Sequence, residues 1–205
     1  MKLAEIEEHL RKFRVGIAGA GGLGSNCAMT LARCGVGLLV IADHDLVEES
    51  NLSRQSFFRD QIGLPKTVAL KENILRIKPD ITVDAVNKKL DAQNIPEIFT
   101  GCDIIVEAFD RAEMKQVIIE SVCEKLPGTP LIVGSGLAGW GHNESLQCRK
   151  IDEFLYVCGD ECSEVSENCP PLAPRIGIVA NMQANVVIEI LMTKNQASDY
   201  YGNCT

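Results

Sequence analysis

Hydrophobic residues fall along this chain in two rhythms that take turns. Residues 14–18 (RVGIA), 38–42 (LLVIA), 103–108 (DIIVEA) and 131–133 (LIV) are short, nearly unbroken apolar runs, and residues 81–86 alternate apolar with polar. Runs this short, rich in Val and Ile and bounded by Gly, Asp or Pro, predict strands, the unbroken ones buried on both faces. Between them lie segments with helical spacing: residues 25–34 stopping at Gly35, residues 66–77 stopping before Pro79, and residues 113–125. Residues 1–13 place Leu3, Ile6, Leu10 and Phe13 on one face of an amphipathic helix. Strands alternating with helices predict an α/β fold, a Rossmann-like, doubly wound and mainly parallel sheet. Residues 144–159 are less regular and predict an antiparallel extension near the carboxyl end, while residues 161–174 read as an irregular loop. A chain of 205 residues is expected to form a single domain, residues 1–205.

The longest apolar region, residues 176–192, is interrupted by Asn181, Gln183, Asn185 and Glu189. That pattern predicts a core or interface helix instead of a membrane span. Residues 1–13 carry Glu5, Glu7, Glu8, Arg11 and Lys12, and they hold no apolar stretch suited to a signal peptide, so the expected location is cytoplasmic. The net charge is −8, from 28 acidic and 20 basic residues, which argues against a nucleic-acid partner because no broad basic face is available to displace counterions. Nine cysteines raise the question of zinc or disulfides, but the number is odd and no pair has C-x-x-C spacing. No structural zinc is expected. Cys27, Cys34 and Cys102 fall in or beside apolar elements and read as packing residues.

The candidate chemistry begins at Gly19-Ala-Gly21-Gly22-Leu-Gly24, between a predicted strand and a predicted helix. Glycines there permit a tight turn and let a phosphate approach backbone N–H groups at the helix start. Asp43 ends the second predicted strand, where a carboxylate can accept ribose hydroxyls. Together these point to a nucleotide, with NAD the ordinary occupant of such a fingerprint. The next stretch argues for another one.

Residues 43–55 (DHDLVEESNLSRQ), Gly63-x-x-Lys66 and Asp110 after an apolar strand follow the glycine loop in order. This ordered set resembles the ThiF/MoeB family of the ubiquitin-activating-enzyme-like superfamily, and the ending at residues 173–185 looks most like its compact ThiF branch. The resemblance implies an ATP-dependent adenylyltransferase that activates the carboxyl-terminal glycine of a small β-grasp, ThiS-like sulfur carrier ending in Gly-Gly, in thiamine thiazole synthesis. It implies that Asn51, Arg54, Gln55 and Lys66 line the triphosphate site, that Asp110 holds magnesium, and that the chain forms a homodimer. The residue chemistry accords with that assignment. When a carboxylate attacks the α-phosphorus of ATP, negative charge gathers on the phosphoryl oxygens and on departing pyrophosphate. Arg54 offers a fork of donors, Lys66 a compact charge, and magnesium a Lewis acid. No protein nucleophile is required.

Two departures from the family pattern stand out. The paired C-x-x-C motifs of MoeB-like members are absent, and Arg11 and Arg14 do not match the family's amino-terminal arginine motif. Three rival readings remain: a related enzyme acting on a peptide or tRNA-base substrate, an NAD oxidoreductase, and a non-catalytic scaffold. Cys158, Cys162 and Cys169 bracket a loop suited to contacting the carrier tail. The nearby Asp160, Glu161, Glu164 and Glu167 disfavour a thiolate there. Trp140, in a Gly-rich stretch, is expected to pack in the core or a lid.

Overall fold

The apolar runs become the middle of a seven-stranded sheet in the computed structural model, which describes residues 2–194. In chain order the elements are α1 (Leu3–Leu10), β1 (Arg14–Ala18), α2 (Gly22–Cys34), β2 (Leu38–Asp43), α3 (Lys66–Ile77), β3 (Thr82–Asn87) and α4 (Asn94–Phe99). Then come β4 (Ile104–Glu107), α5 (Ala112–Lys125), β5 (Leu131–Gly134), β6 (Gln147–Lys150), β7 (Leu155–Gly159) and α6 (Ala173–Thr193). The strand order is β3-β2-β1-β4-β5-β7-β6, parallel throughout except for the β6/β7 pair. The parallel sheet and its antiparallel extension are therefore both present.

β4 and β5 are buried at every position because helices cover both faces of the sheet. Leu10, Cys27, Leu70 and Val187, from α1, α2, α3 and α6, pack on one face. Phe99 and Ile118, from α4 and α5, pack on the other. α4 has no counterpart among the predicted elements, being too short to show a period. The turn before it is held by Asp91, whose Oδ1 accepts the N–H groups of Gln93 and Asn94 at 2.9 and 2.8 Å. Its Phe99 lies so close to β1 that a Cβ at Gly16 would sit 2.6 Å from the ring.

α6 is long and apolar enough to cross a membrane by length and composition. Here Val179, Ala180, Ala184, Val187 and Leu191 are buried in the core against the sheet and α2. Two of its polar interruptions make internal bonds. Asn181 Oδ1 accepts the Thr30 hydroxyl of α2 at 2.9 Å, and buried Gln183 donates to the Glu107 carbonyl at 2.9 Å. α6 also takes in Ala173 and Pro174, at the end of the expected irregular loop. Proline fits the first turn of a helix, where its missing N–H has no partner to lose.

The order of the sheet reverses between β1 and β4, and open α/β sheets bind ligands at the carboxyl ends of strands at such a switch point. Gly19 and Asp110 follow strands that end there, and Asp43 is the last residue of another.

Candidate active site

The glycine loop is shaped by close contacts that exclude side chains. Gly19 has a φ of 98°, and a Cβ at Gly24 would lie 1.8 Å from the Gly19 carbonyl oxygen. α2 begins inside the fingerprint at Gly22, earlier than its hydrophobic spacing suggested, so Gly22 and Gly24 belong to its first turn. The unpaired N–H groups of that turn are the anion-binding feature of such loops. Gly21 leaves open space, and a Cβ there would meet nothing nearer than Gln55 Nε2 at 4.0 Å.

Asp43 holds this loop against the end of β2. Its Oδ2 accepts the Ala20 N–H at 2.6 Å and its Oδ1 accepts the Asp45 N–H at 2.8 Å. A carboxylate offers about four acceptor directions, so capacity remains for hydroxyl donors.

The segment after β2 is tied to α2 by two residues that the sequence reading did not single out. Ser25 Oγ accepts the Ser56 N–H at 3.1 Å, and Asn26 Nδ2 donates to the Arg54 carbonyl at 3.0 Å. Both follow Gly24 directly, which was their only signal. Asn51 is buried, and its Oδ1 accepts the Glu48 N–H at 3.1 Å, which fixes the turn of residues 49–53. Gln55 Oε1 is buried and has no partner among the described residues. Arg54 turns its guanidinium to the Ser50 carbonyl at 3.0 Å, engaging one nitrogen of its fork.

Lys66 is the most buried cation of the predicted set. Its Nζ donates to Asp45 Oδ2 at 2.8 Å and its backbone N–H to the Asp45 carbonyl at 2.9 Å. Burial alone would raise the Asp45 carboxyl; the Lys66 hydrogen bond and charge, with help from His44 and Arg111, hold it below the usual carboxylate range. Asp45 therefore orients Lys66.

Asp110 is exposed in the turn between β4 and α5 and makes no hydrogen bond or ion pair among the described residues. It does not cap α5, whose N-cap is Arg111. Magnesium takes one or two carboxylates together with substrate phosphates, so an uncommitted carboxylate beside a phosphate loop fits it. Asp43, His44 and Asp45 place ligand atoms within 4.8 Å of one another, but Asp43 is occupied by backbone N–H groups and Asp45 by Lys66.

Behind the turn lies an ion pair between a buried carboxylate and a half-buried lysine. Glu107 is fully buried and accepts Lys115 Nζ at 2.8 and 2.9 Å, the Phe109 N–H at 2.6 Å and the Gly134 N–H at 3.2 Å. Burial pushes its carboxyl up, against the opposing pull of Lys115. On the other flank, Arg175 and Asp160 form a buried ion pair that anchors the start of the loop between β7 and α6. Burial would raise Asp160, but the Ser163 and Cys162 N–H groups and Arg175 hold it far below the carboxylate range. Arg175 also donates to the Gly141 carbonyl at 2.6 Å. Cys162 is exposed, with its thiol raised by residual desolvation and by Asp160, as the acidic composition suggested. Trp140 is 65% exposed and packs in neither core nor lid, correcting that expectation. Cys27 and Cys102 are buried and Cys34 half-buried, as packing residues should be; Cys204 lies outside the described residues.

Comparison with known proteins gives a consistent picture. The ThiF family model matches residues 3–204. The Escherichia coli (strain K12) sulfur carrier protein ThiS adenylyltransferase is 30% identical over 190 residues, covering 90% of this chain and 74% of the relative. The SAMP-activating enzyme E1 of Haloferax volcanii is 36% identical over 132 residues, covering 64% of this chain but only 48% of that protein. Among solved structures, the E. coli tRNA N6-threonylcarbamoyladenosine dehydratase TcdA, in complex with AMP, superposes with a TM-score of 0.83 at 20% identity, covering 93% of this chain and 90% of the other. At that identity the likeness shows the fold alone. The expectation of an adenylating enzyme accords with the names of the relatives.

Proposed function

Since the chain belongs to the ThiF family, we propose that it is an ATP-dependent adenylyltransferase acting on the carboxyl-terminal glycine of a small β-grasp sulfur carrier, in thiamine thiazole synthesis. The observation that carries this reading is the cationic flank of the nucleotide loop. Lys66 is buried and held on Asp45, Arg54 is tied to α2 through its backbone, and Asp110 stands uncommitted in the turn between β4 and α5. An NAD oxidoreductase has no use for that set.

On this reading Gly19, Gly21, Gly22 and Gly24 receive the phosphates and Asp43 the ribose. Asn51 shapes the wall from which Arg54 and Gln55 reach the triphosphate. Lys66 retains two N–H donors beyond the one given to Asp45. It stabilises the charge that develops as pyrophosphate departs. Asp110 would hold magnesium, which supplies Lewis-acid charge to the phosphates. Catalysis is positioning and charge stabilisation, with the carrier's carboxylate oxygen as nucleophile and the α-phosphorus as electrophile. On this reading the loop of residues 160–172, anchored by Arg175 and Asp160, contacts the carrier's tail. A homodimer through the exposed face of α6, around Gly177, Ile178 and Met182, and a cytoplasmic location belong to the same reading.

The test is ATP–pyrophosphate exchange with candidate carriers ending in Gly-Gly, each compared with the same carrier lacking its last residue. Exchange that needs the intact tail supports the reading. Exchange driven instead by a peptide or a tRNA carrying a modified base would move the chain to the rival substrate class. The net charge of −8 weighs against the tRNA.

A further inference from the structure

Two cysteines outside the nucleotide site face each other across the antiparallel extension. Cys148 of β6 and Cys158 of β7 are register partners, and their sulfurs lie 3.4 Å apart. Both are free thiols; Cys148 is exposed and Cys158 fully buried. The ladder determines which kind of pair they form. The Ile151 N–H donates to the Leu155 carbonyl at 2.8 Å, so Ile151 and Leu155 are a hydrogen-bonded pair. Alternation along the register then makes Arg149 and Val157 hydrogen-bonded, and Cys148 and Cys158 non-hydrogen-bonded. At such positions side chains stand closest, with Cα atoms about 4.5 Å apart, inside the ~4.4–6.8 Å range that a disulfide spans. Side-chain rotation alone can bring the sulfurs to bonding distance.

We propose that Cys148 and Cys158 are a reversible redox modification site, closing to a cross-strand disulfide at the expense of a low-molecular-weight disulfide of the glutathione class. The Cys148 thiolate attacks one sulfur of the small disulfide. A Cys148–sulfur bond forms, and the first small thiol leaves as a thiolate that takes up a proton. Cys158 Sγ then attacks Cys148 Sγ, giving up its proton as the second small thiol departs. Each protein thiol loses one electron and one proton, and the small disulfide is reduced to two thiols. The order follows from the environment. Burial pushes the Cys158 thiol up, with Cys148 and Cys27 adding to it, so the exposed partner attacks first. The bridge ties edge strand β6 to β7 immediately before Gly159, where the chain turns into the loop held by Asp160 and Arg175. It stiffens the base of that loop without touching the glycine loop, Lys66 or Asp110.

The experiment incubates the full native chain in glutathione buffers from reducing to fully oxidising. Acid quenching, alkylation under denaturing conditions and peptide mapping by mass spectrometry follow. The expected result is one linked peptide pair joining Cys148 to Cys158, with Cys27, Cys34 and Cys102 alkylated, and full return of both thiols on reduction. Cys148→Ser, at an exposed position, is expected to abolish the link and leave Cys158 alkylated. Cys158→Ser is expected to trap glutathione on Cys148, lengthening the life of that mixed disulfide ~10-fold or more, because the neighbouring thiol no longer displaces it. Circular dichroism confirms that both variants are folded. The proposal is overturned by a stable Cys148–glutathione adduct in the unaltered chain, by a Cys158–Cys27 link, or by full alkylation of both residues in the most oxidising buffer.

Discussion

Lys66→Met separates a catalytic role for the buried cation from a structural one. The Lys66 side chain is only 8% exposed, whereas its partner Asp45 is 53% exposed. Methionine fills nearly the same space and removes the ammonium. Asp45, left alone, rehydrates instead of remaining as an unpaired buried charge. The lost pair therefore resembles a surface ion pair, worth about 1 kcal/mol or less. For a domain of this size that corresponds to a shift in Tm of roughly 2–4 °C at most. The rate should respond quite differently. Removing a preorganised donor aimed at developing phosphate charge typically costs about 10²–10³ in rate. The assay pairs calorimetric melting with carrier-dependent pyrophosphate exchange. Exchange within a few-fold of the unaltered enzyme, in a variant that melts normally, would remove Lys66 from the triphosphate site. A fall in Tm well beyond that range would contradict the surface-like character of the Asp45 pair.

Asp160→Asn breaks an ion pair whose two side chains are each 5% exposed, and the expected loss of stability is about 3–5 kcal/mol. Because the folded carboxyl is held low, its stabilisation is present above the ordinary Asp value of about 4 and lost as pH falls below it. Denaturant titrations should accordingly show the gap between variant and unaltered chain narrowing below pH ~4, and a gap independent of pH would contradict the assignment. Glu107→Gln leaves half-buried Lys115 with only the Gly134 carbonyl and should destabilise by about 1–3 kcal/mol, read by urea unfolding; an unchanged midpoint would contradict the pair's role. Gly24→Ala drives a methyl into the Gly19 carbonyl and should cost roughly 1–3 kcal/mol while weakening ATP binding, and unaltered ATP affinity would show that the loop tolerates the shift.

Much of the frame is legible in the sequence because unbroken apolar runs and helical spacing survive folding as buried strands and one-sided helices. The glycine loop is legible for a related reason: close approach admits only hydrogen at Gly24. The start of α2 at Gly22 is not, since backbone geometry and not side-chain periodicity sets it. α4 escapes notice because a helix of a single turn or so carries no repeat. The ion pairs around the site are also invisible. Asp45–Lys66, Glu107–Lys115 and Asp160–Arg175 join charges from different elements, and no local rule pairs them. Arg54 and Lys66 are legible through motif order, but Lys66 lies on Asp45, a partner that only the return of α3 toward β2 supplies. Trp140 shows the converse. An isolated aromatic in a glycine-rich stretch has no periodicity to place it, and it faces solvent.

Calorimetric titration of the purified chain with ATP and magnesium, beside the same titration with NAD, tests the central claim most directly because it needs no knowledge of the carrier. Saturable ATP binding that Asp110→Ala and Arg54→Ala weaken, with no comparable NAD binding, is the expected result. Tight NAD binding with negligible ATP binding would contradict the adenylation reading.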